Sequence, residues 1–390
     1  MRILKRIFWT TAVVLSFLVV AFFIFAPGLV ERGANRVAAH DPYPVSESAR
    51  VLHGSMVVGD WHADSLLWNR DLTERGRRGH LDLPRMIEGN LGLQVFSAVT
   101  KSPAGQNYQE NSAEAPDTIT LLAAGQLWPI KTWRSLTERA LYQAAKLRTV
   151  AERSKGRLRV VTTRAELDAV LSARARGETV VGGILGIEGG HALEGQMANL
   201  DRLDAAGFRV IGLQHFFDNA LGGSLHGIGN RGLTEFGRQV VAEIDRRGMV
   251  LDLAHSSPRV AAEVLAMVDM PVVVSHTGIH SHTPVRRNFE DVIMRAVARR
   301  GGVVAIGFWA DVTGDASPAG VADAIRHAIT VVGEDHVSLG SDYDGAVPVA
   351  FDASELAALT HALLEAGVTE PQIRKVMGEN MVRVLRARLP

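Results

Sequence analysis

The chain has 390 residues, 47% of them apolar and 22% charged, with 42 basic side chains against 42 acidic ones and no cysteine. A formal charge of zero leaves no electrostatic footprint for a polyanion, which sets nucleic acid aside as a partner, and the apolar fraction is well above what a disordered chain carries. Without cysteine there is no disulfide framework, no thiolate nucleophile and no Cys-ligated metal, so any metal must sit on His, Asp and Glu.

In chain order, the first element is the uncharged run Phe8 to Val30, FWTTAVVLSFLVVAFFIFAPGLV, which follows Arg2, Lys5 and Arg6. A run of about 20 apolar residues matches the hydrocarbon thickness of a bilayer, whereas the apolar region of a cleaved signal peptide is about 7–15 residues. Basic residues on the amino side place the N-terminus in the cytoplasm and the remainder outside. Residues 1–31 therefore read as a signal anchor, one transmembrane helix. The competing reading is a long signal peptide cut near Ala38-Ala39. Residues 32–50, polar and carrying Pro42 and Pro44, read as a linker.

From residue 51 to 390 one pattern recurs, a β-branched run, a loop and a helical stretch. The candidate strands are Met56–Trp61, Leu93–Val99, Gly183–Ile187, Arg209–Gln214, Met249–Ala254, Val272–Ser275, Val303–Gly307 and His336–Ser341. Most are continuous apolar runs without alternation, as parallel strands covered on both faces require. Thr163 with Glu166 spells a capping box for a helix ending before Gly177, and Thr234 can cap a helix that closes at Gly248. The α/β alternation predicts a (β/α)8 TIM barrel. Residues 102–155 read as a helical insertion in which Trp128, Trp133 and Tyr142 serve packing.

The informative feature is where titratable residues fall. Candidate strands end in His62-Ala63-Asp64, Glu188, His215, His255, His276 and Asp342. In a barrel these ends converge on one rim, the face that carries active sites. Any one of these histidines is more simply a hydrogen-bonded core or surface residue; the argument is their common register. Four imidazoles and three carboxylates gathered at one rim would waste desolvation energy unless positive charge organised them, and a metal pair does so. His62 and Asp64 fall on the same side of an extended chain and can serve one ion. Asp252, two residues before the last strand residue ahead of His255, is either an acceptor behind the ligands or a strand acid held by backbone. Arg286-Arg287-Asn288 offers guanidinium and amide groups to a substrate carboxylate. His191, His226, His280 and His282 read as surface residues. Gly227-Ile-Gly229-Asn-Arg-Gly232 spells G-x-G-x-x-G, but it follows a loop and not a strand, so no dinucleotide site is expected.

Taken together, GDWHADSL, GIEGG, GLQHFFDNALG, GLTEFGRQVVAEIDRRGMVLDLAHSS, PVVVSHTG, RRNFED and VSLGSDYDG resemble, in that order, the membrane dipeptidase (renal dipeptidase, peptidase M19) family from about residue 50 onward. The resemblance implies a barrel that holds two zinc ions and hydrolyses dipeptides. It implies that His62 and Asp64 hold one Zn2+, that Glu188 bridges the pair, and that His255 and His276 hold the other. It makes His215 the substrate-polarising histidine, Arg287 the carboxylate-binding arginine and Asp342 the catalytic aspartate, with Asp344 as the alternative base. The expected partners are a dipeptide, the cell membrane through the N-terminal helix with the barrel on its periplasmic or extracytoplasmic side, and a second copy in a homodimer. The family often reads Asp-Gly-His where this chain has Asp60-Trp61-His62, so the bulk of Trp61 is expected to narrow the pocket. Mammalian members carry disulfides and a carboxyl-terminal lipid; here cysteine is absent and the chain ends RVLRARLP without an apolar tail. Two other readings are a lactonase- or amidase-like metal hydrolase and a catalytically silent anchored barrel. The first commonly bridges its metals with a lysine, which Leu213-Gln214-His215-Phe216 lacks; the second does not account for a complete ligand set.

Overall fold

All the apolar runs expected as strands are strands in the computed structural model, which describes residues 2–390. They are β1 (Val58–Ala63), β2 (Leu91–Val99), β3 (Val181–Glu188), β4 (Phe208–Gly212), β5 (Val250–Asp252), β6 (Val273–Thr277), β7 (Val303–Ile306) and β8 (Val337–Leu339). Each pairs in parallel with the next, and β8 returns to β1, closing a (β/α)8 TIM barrel. Apart from Arg209, half-buried in β4, every strand residue is buried, which is why the sequence shows continuous apolar runs where a one-faced sheet would alternate. A further short strand, Leu158–Val160, pairs with the start of β3. Three residues, with Leu158 buried and Arg159 exposed, are too few to show a period, so the sequence offers no signal for it.

The helix ends obey local chemistry. Thr163 and Glu166 form the reciprocal capping box of helix Arg164–Ala175, and Thr234 Oγ1 accepts from the Gly237 amide at the start of helix Glu235–Arg246. Gly248 follows that helix at a φ of 69°, a backbone that favours glycine. At the amino-terminal end of the strands the last helix, Asn380–Arg388, places Met381 and Leu385 in one cluster with Val250, Val273 and Val303. Trp61 is fully buried in that same cluster and does not line the cavity, so its bulk packs the core and does not narrow the pocket.

The N-terminal helix runs from Arg2 to Ala34, about a turn beyond the expected boundary at residue 31. Its apolar side chains are exposed along most of its length, yet its last turn is built into the barrel. Glu31 is buried between Arg70 and Arg78, and the Ala346 amide donates to Asn35 Oδ1 at 2.9 Å. Residues 32–50 also lie on the barrel. Val37 bridges to Val349, with the Ala38 amide 2.8 Å from the Val349 carbonyl, and Ser46 caps the short helix Glu47–Gly54.

Candidate metal centre

The carboxyl ends of the strands bring His62, Asp64, Glu188, His215, His255, His276 and Asp342 together around a cavity of about 460 Å³, also lined by Tyr108, Arg287 and Trp309 (His62 alone stands behind its wall). Glu188, the last residue of β3, is the centre. Its Oε1 lies 3.1 Å from His255 Nε2, 3.3 Å from His276 Nε2 and 3.6 Å from His62 Nε2, and its Oε2 lies 3.4 Å from His215 Nε2. Asp64 Oδ1 is 3.4 Å from His62 Nε2. The route to that pair differs from the extended-chain expectation. Asp64 has left the strand and immediately precedes the short helical turn Ser65–Leu67 at φ −99°, ψ 24°, its side chain free of any capping bond, after a register shift between Asp60 and Ala63. His255 and Asp342 also sit just past strand ends, both with positive φ, 62° and 59°. A left-handed backbone at non-glycine residues is held by surrounding structure and concentrates at functional sites.

Several features show that these residues fit divalent metal. Buried His62 Nε2 and Asp64 Oδ1 have no hydrogen-bond partner. His255 Nε2 and His276 Nε2 stand 2.9 Å apart, where two lone pairs repel unless a proton or cation lies at that point. Burial, followed by Arg287 for His255 and by His62 and then Arg287 for His276, holds both well below the usual histidine range, which favours the neutral rings that ligate metal. Burial and then Glu188 push Asp64 up to about 7, and burial raises Asp342 well above the carboxylate range, with Asp64 and Glu188 adding to it. Burial opposes charge on His62, yet Glu188, Asp64 and Asp342 push it up to about 10. Asp64 and Asp342 thus capture protons, whereas burial of Glu188 is outweighed by His215, His62, His255 and His276, which hold it well below the carboxylate range; a divalent cation would displace the captured protons.

Behind the ligands, Ser275 Oγ donates to Asp252 Oδ2 at 2.6 Å and stands 2.8 Å from His276 Nδ1. With Asp252 taking the hydroxyl proton, Ser275 accepts from His276 Nδ1–H, which leaves Nε2 bare for metal. Asp252 is further held by the Ala254 and Ser275 amides at 2.9 and 3.0 Å, so both sequence readings of this acid apply, and it serves His276 and not His255.

Arg287, 1% exposed, uses Nη2 on the His276 carbonyl at 2.7 Å and against His255 Nε2 at 3.3 Å, and lies over the Trp309 ring. Its other donors make no hydrogen bond among the described residues and remain for a ligand carboxylate. Asn288 does not line the cavity. Its Oδ1 accepts from the Gly278 amide at 2.8 Å and its Nδ2 donates to the Thr283 and Val312 carbonyls, so it braces the loop and has no group left for substrate. Asp344 is likewise engaged, by Ser65, Arg70 and the His80 amide, which removes it as the alternative base.

Two histidines expected on the surface are buried. His226 packs on Phe216 at 4.8 Å, and His191 lies against Phe217 at 4.9 Å. Burial, with Arg287 adding, takes His226 down to about 3; burial, with His215 and Lys101 adding, takes His191 down to about 3. Sequence reasoning missed Tyr108 and Trp309. The indole Nε1 donates to Tyr108 Oη at 3.0 Å across the cavity wall, a contact between the insertion and the loop after β7 that no local pattern announces. The G-x-G-x-x-G stretch is filled by the chain itself, since Asp218 accepts from the Ser224 and Gly229 amides at 2.8 Å each.

A (β/α)8 barrel whose carboxyl-end rim gathers imidazoles and carboxylates belongs to the metal-dependent class of barrel enzymes. The profile of the membrane dipeptidase family (peptidase family M19) matches residues 46–388. A fission yeast protein, named as an uncharacterized dipeptidase of Schizosaccharomyces pombe, is 30% identical over 327 residues, covering 80% of this chain and 73% of its own. A crystal structure described as the dipeptidase AC, a metallopeptidase, superposes with a TM-score of 0.70 at 29% identity, covering 86% of this chain and 99% of that one. A metallopeptidase from Rhodobacter sphaeroides, liganded with a phosphinate mimic of the dipeptide L-Ala-D-Ala, gives 0.68 at 28% identity, over 85% and 99%. The chain belongs to the membrane dipeptidase family and is a metal-dependent dipeptidase.

Proposed function

We propose that this chain is a di-zinc dipeptidase anchored in the cell membrane by its N-terminal helix, with the barrel on the periplasmic or extracytoplasmic side. The observation that carries the zinc pair is the convergence on Glu188. One carboxylate oxygen lies within 3.6 Å of three imidazoles supplied by three different strands. His62 and Asp64 would hold one ion, His255 and His276 the other, and Glu188 both. When bound, such a pair supplies Lewis acidity and lowers the pKa of water to near neutrality.

The remaining work falls to this chain's side chains. Arg287 takes the terminal carboxylate of the substrate, and a buried cation at that distance from the ligands restricts the cavity to short peptides. His215, 3.4 Å from Glu188 Oε2, reaches a carbonyl oxygen placed beside the ligands and stabilises negative charge as it develops. That role needs a proton on Nε2; burial holds His215 below the usual histidine range, so it is negative charge developing on the substrate oxygen that favours the protonated ring. Asp342, whose burial gives it a high proton affinity, accepts a proton from the attacking water and delivers it to the leaving amine.

Anchoring is supported by the last turn of the helix. Cleavage near Ala38-Ala39 would remove Glu31 from between Arg70 and Arg78, together with the Val37–Val349 bridge. The test is metal analysis plus a panel of L,L-, L,D- and D,D-dipeptides, tripeptides and lactones on the full-length protein in detergent. About two zinc equivalents and hydrolysis confined to dipeptides are expected; tripeptides cleaved as fast as dipeptides would overturn the role of Arg287. Release of the barrel from washed membranes would overturn the anchor.

A further inference from the structure

Helix Thr118–Gly125 and the turns after it carry large apolar side chains that nothing covers. Leu121 is 76% exposed, Leu127 68%, Ile130 72% and Trp133 37%. Scattered apolar residues are ordinary on a surface, but a contiguous group of this kind marks an interaction site. Leu127 is displayed from a backbone at φ 56°, an uncommon conformation for a bulky residue.

The neighbour of this patch identifies what covers it. Ala34, at the end of the N-terminal helix, and Leu122 pack on one small cluster with Ile119, Ala123 and Trp128. A Cβ on Gly125 would lie 3.9 Å from Pro27 Cγ. Pro27 belongs to the uncharged run Phe8 to Val30, which is about 34 Å long at ~1.5 Å per residue, close to the ~30 Å hydrocarbon core. Its Pro27–Val30 end therefore lies at the outer boundary of that core, and whatever touches Pro27 lies at the same level. Around the apolar tips Arg134 is exposed, and Lys131, also exposed, pairs with Glu138 at 2.6 Å. An indole and aliphatic tips at that level suit the headgroup layer, where amphipathic aromatic rings sit at both faces of a bilayer.

We propose that the turn from Leu121 to Trp133 docks in the outer headgroup layer of the bilayer that the N-terminal helix spans. This rests on the anchor reading. Val30, Ala34, Ile119 and Leu122 also line the metal cavity, so docking holds its mouth at the membrane surface. A dipeptide then enters along that surface.

The absence of cysteine makes the test direct. Leu127→Cys, Ile130→Cys and two references are labelled singly with an environment-sensitive fluorophore in the full-length chain. Each is reconstituted in vesicles of phosphatidylcholine with phosphatidylglycerol. Thr179→Cys, exposed at the start of β3 on the opposite end of the barrel, reports bulk water. Val14→Cys reports the span. Lipids spin-labelled at the headgroup should quench positions 127 and 130 several-fold more than 179, and lipids spin-labelled deep in the chain should quench 14. Quenching at 127 and 130 no stronger than at 179, with 14 still quenched, overturns the docking and leaves the anchor standing. If 14 is not quenched either, the anchor reading fails and the docking with it. A fluorescence shift at 127 that ignores spin-labelled lipid and grows with protein-to-lipid ratio would put a second copy on the patch and equally overturn the proposal.

Discussion

Replacing Ser275 with alanine removes one oxygen from the relay between Asp252 and His276, and the structure allows the cost to be worked. Asp252 keeps its two backbone donors at 2.9 and 3.0 Å, so the acid stays in place. His276 Nδ1 loses its one hydrogen bond among the described residues. A buried N–H left unpaired costs about 1–3 kcal/mol. Substitution of a group that orients a metal ligand costs about 10–100-fold in metal affinity or activity, which is ~1.4–2.7 kcal/mol and falls in the same range. Ser275→Ala should therefore weaken metal binding by about 10–100-fold, with much of the activity restored at saturating metal. The assay is competition against a chromophoric chelator, paired with thermal unfolding in excess chelator. Unchanged metal affinity alongside a lower unfolding temperature of the metal-free protein would show Ser275 to be a packing residue and refute the relay.

Glu188→Gln should abolish dipeptide hydrolysis and leave the circular dichroism spectrum unchanged, because it removes the shared carboxylate from a cluster that strand ends otherwise hold. Retained turnover would contradict the bridge. Arg287→Met should lower kcat/KM by at least about 30-fold, the lower end of the ~2–5 kcal/mol lost when one partner of a buried charge pair is truncated, seen mainly in KM. Chelation should lower the unfolding temperature, since metal at ~1,000 times its Kd contributes ~4 kcal/mol to the folded state; a melting curve indifferent to chelator would argue against bound metal. Acid should destabilise the fold through His191. Burial, with His215 and Lys101 adding, takes this imidazole from 6.5 down to about 3, so below pH 6.5 the unfolded chain binds a proton that the folded chain refuses. Its contribution is full above pH 6.5 and falls by up to ~1.4 kcal/mol per pH unit on the way to 3. His191→Phe should flatten that slope by one proton in urea titrations between pH 4 and 7, and an unaltered slope would count against the assignment.

Much of this was legible in the chain because each feature is local. Continuous apolar runs register burial on both faces of a strand, and the capping box at Thr163 satisfies its own helix end. Strand-terminal placement of His62, Glu188, His215, His255, His276 and Asp342 follows once the strands are known, since parallel strands send all their carboxyl ends to one rim. Asn288, Asp344 and Trp61 were not legible, because each has the chemistry of a site residue and only its neighbours show that its polar groups or its bulk are already committed. The buried His191 and His226 look in sequence like any loop histidine. Ser275 did leave a signal, a hydroxyl ending an otherwise apolar run beside a histidine, but its partner Asp252 comes from another strand.

By itself the sequence determined the barrel, the ligand types and the apolar N-terminal run, since hydrophobic period, helix caps and the absence of cysteine act within a few residues. Tertiary structure alone decided which oxygen of Glu188 three imidazoles share, that Ser275 joins Asp252 to His276, and that Tyr108 of the insertion meets Trp309. It also decided that the N-terminal helix ends against the wall of the metal cavity. Those are contacts between segments far apart in the chain, set by packing, and no local pattern encodes a distance between them.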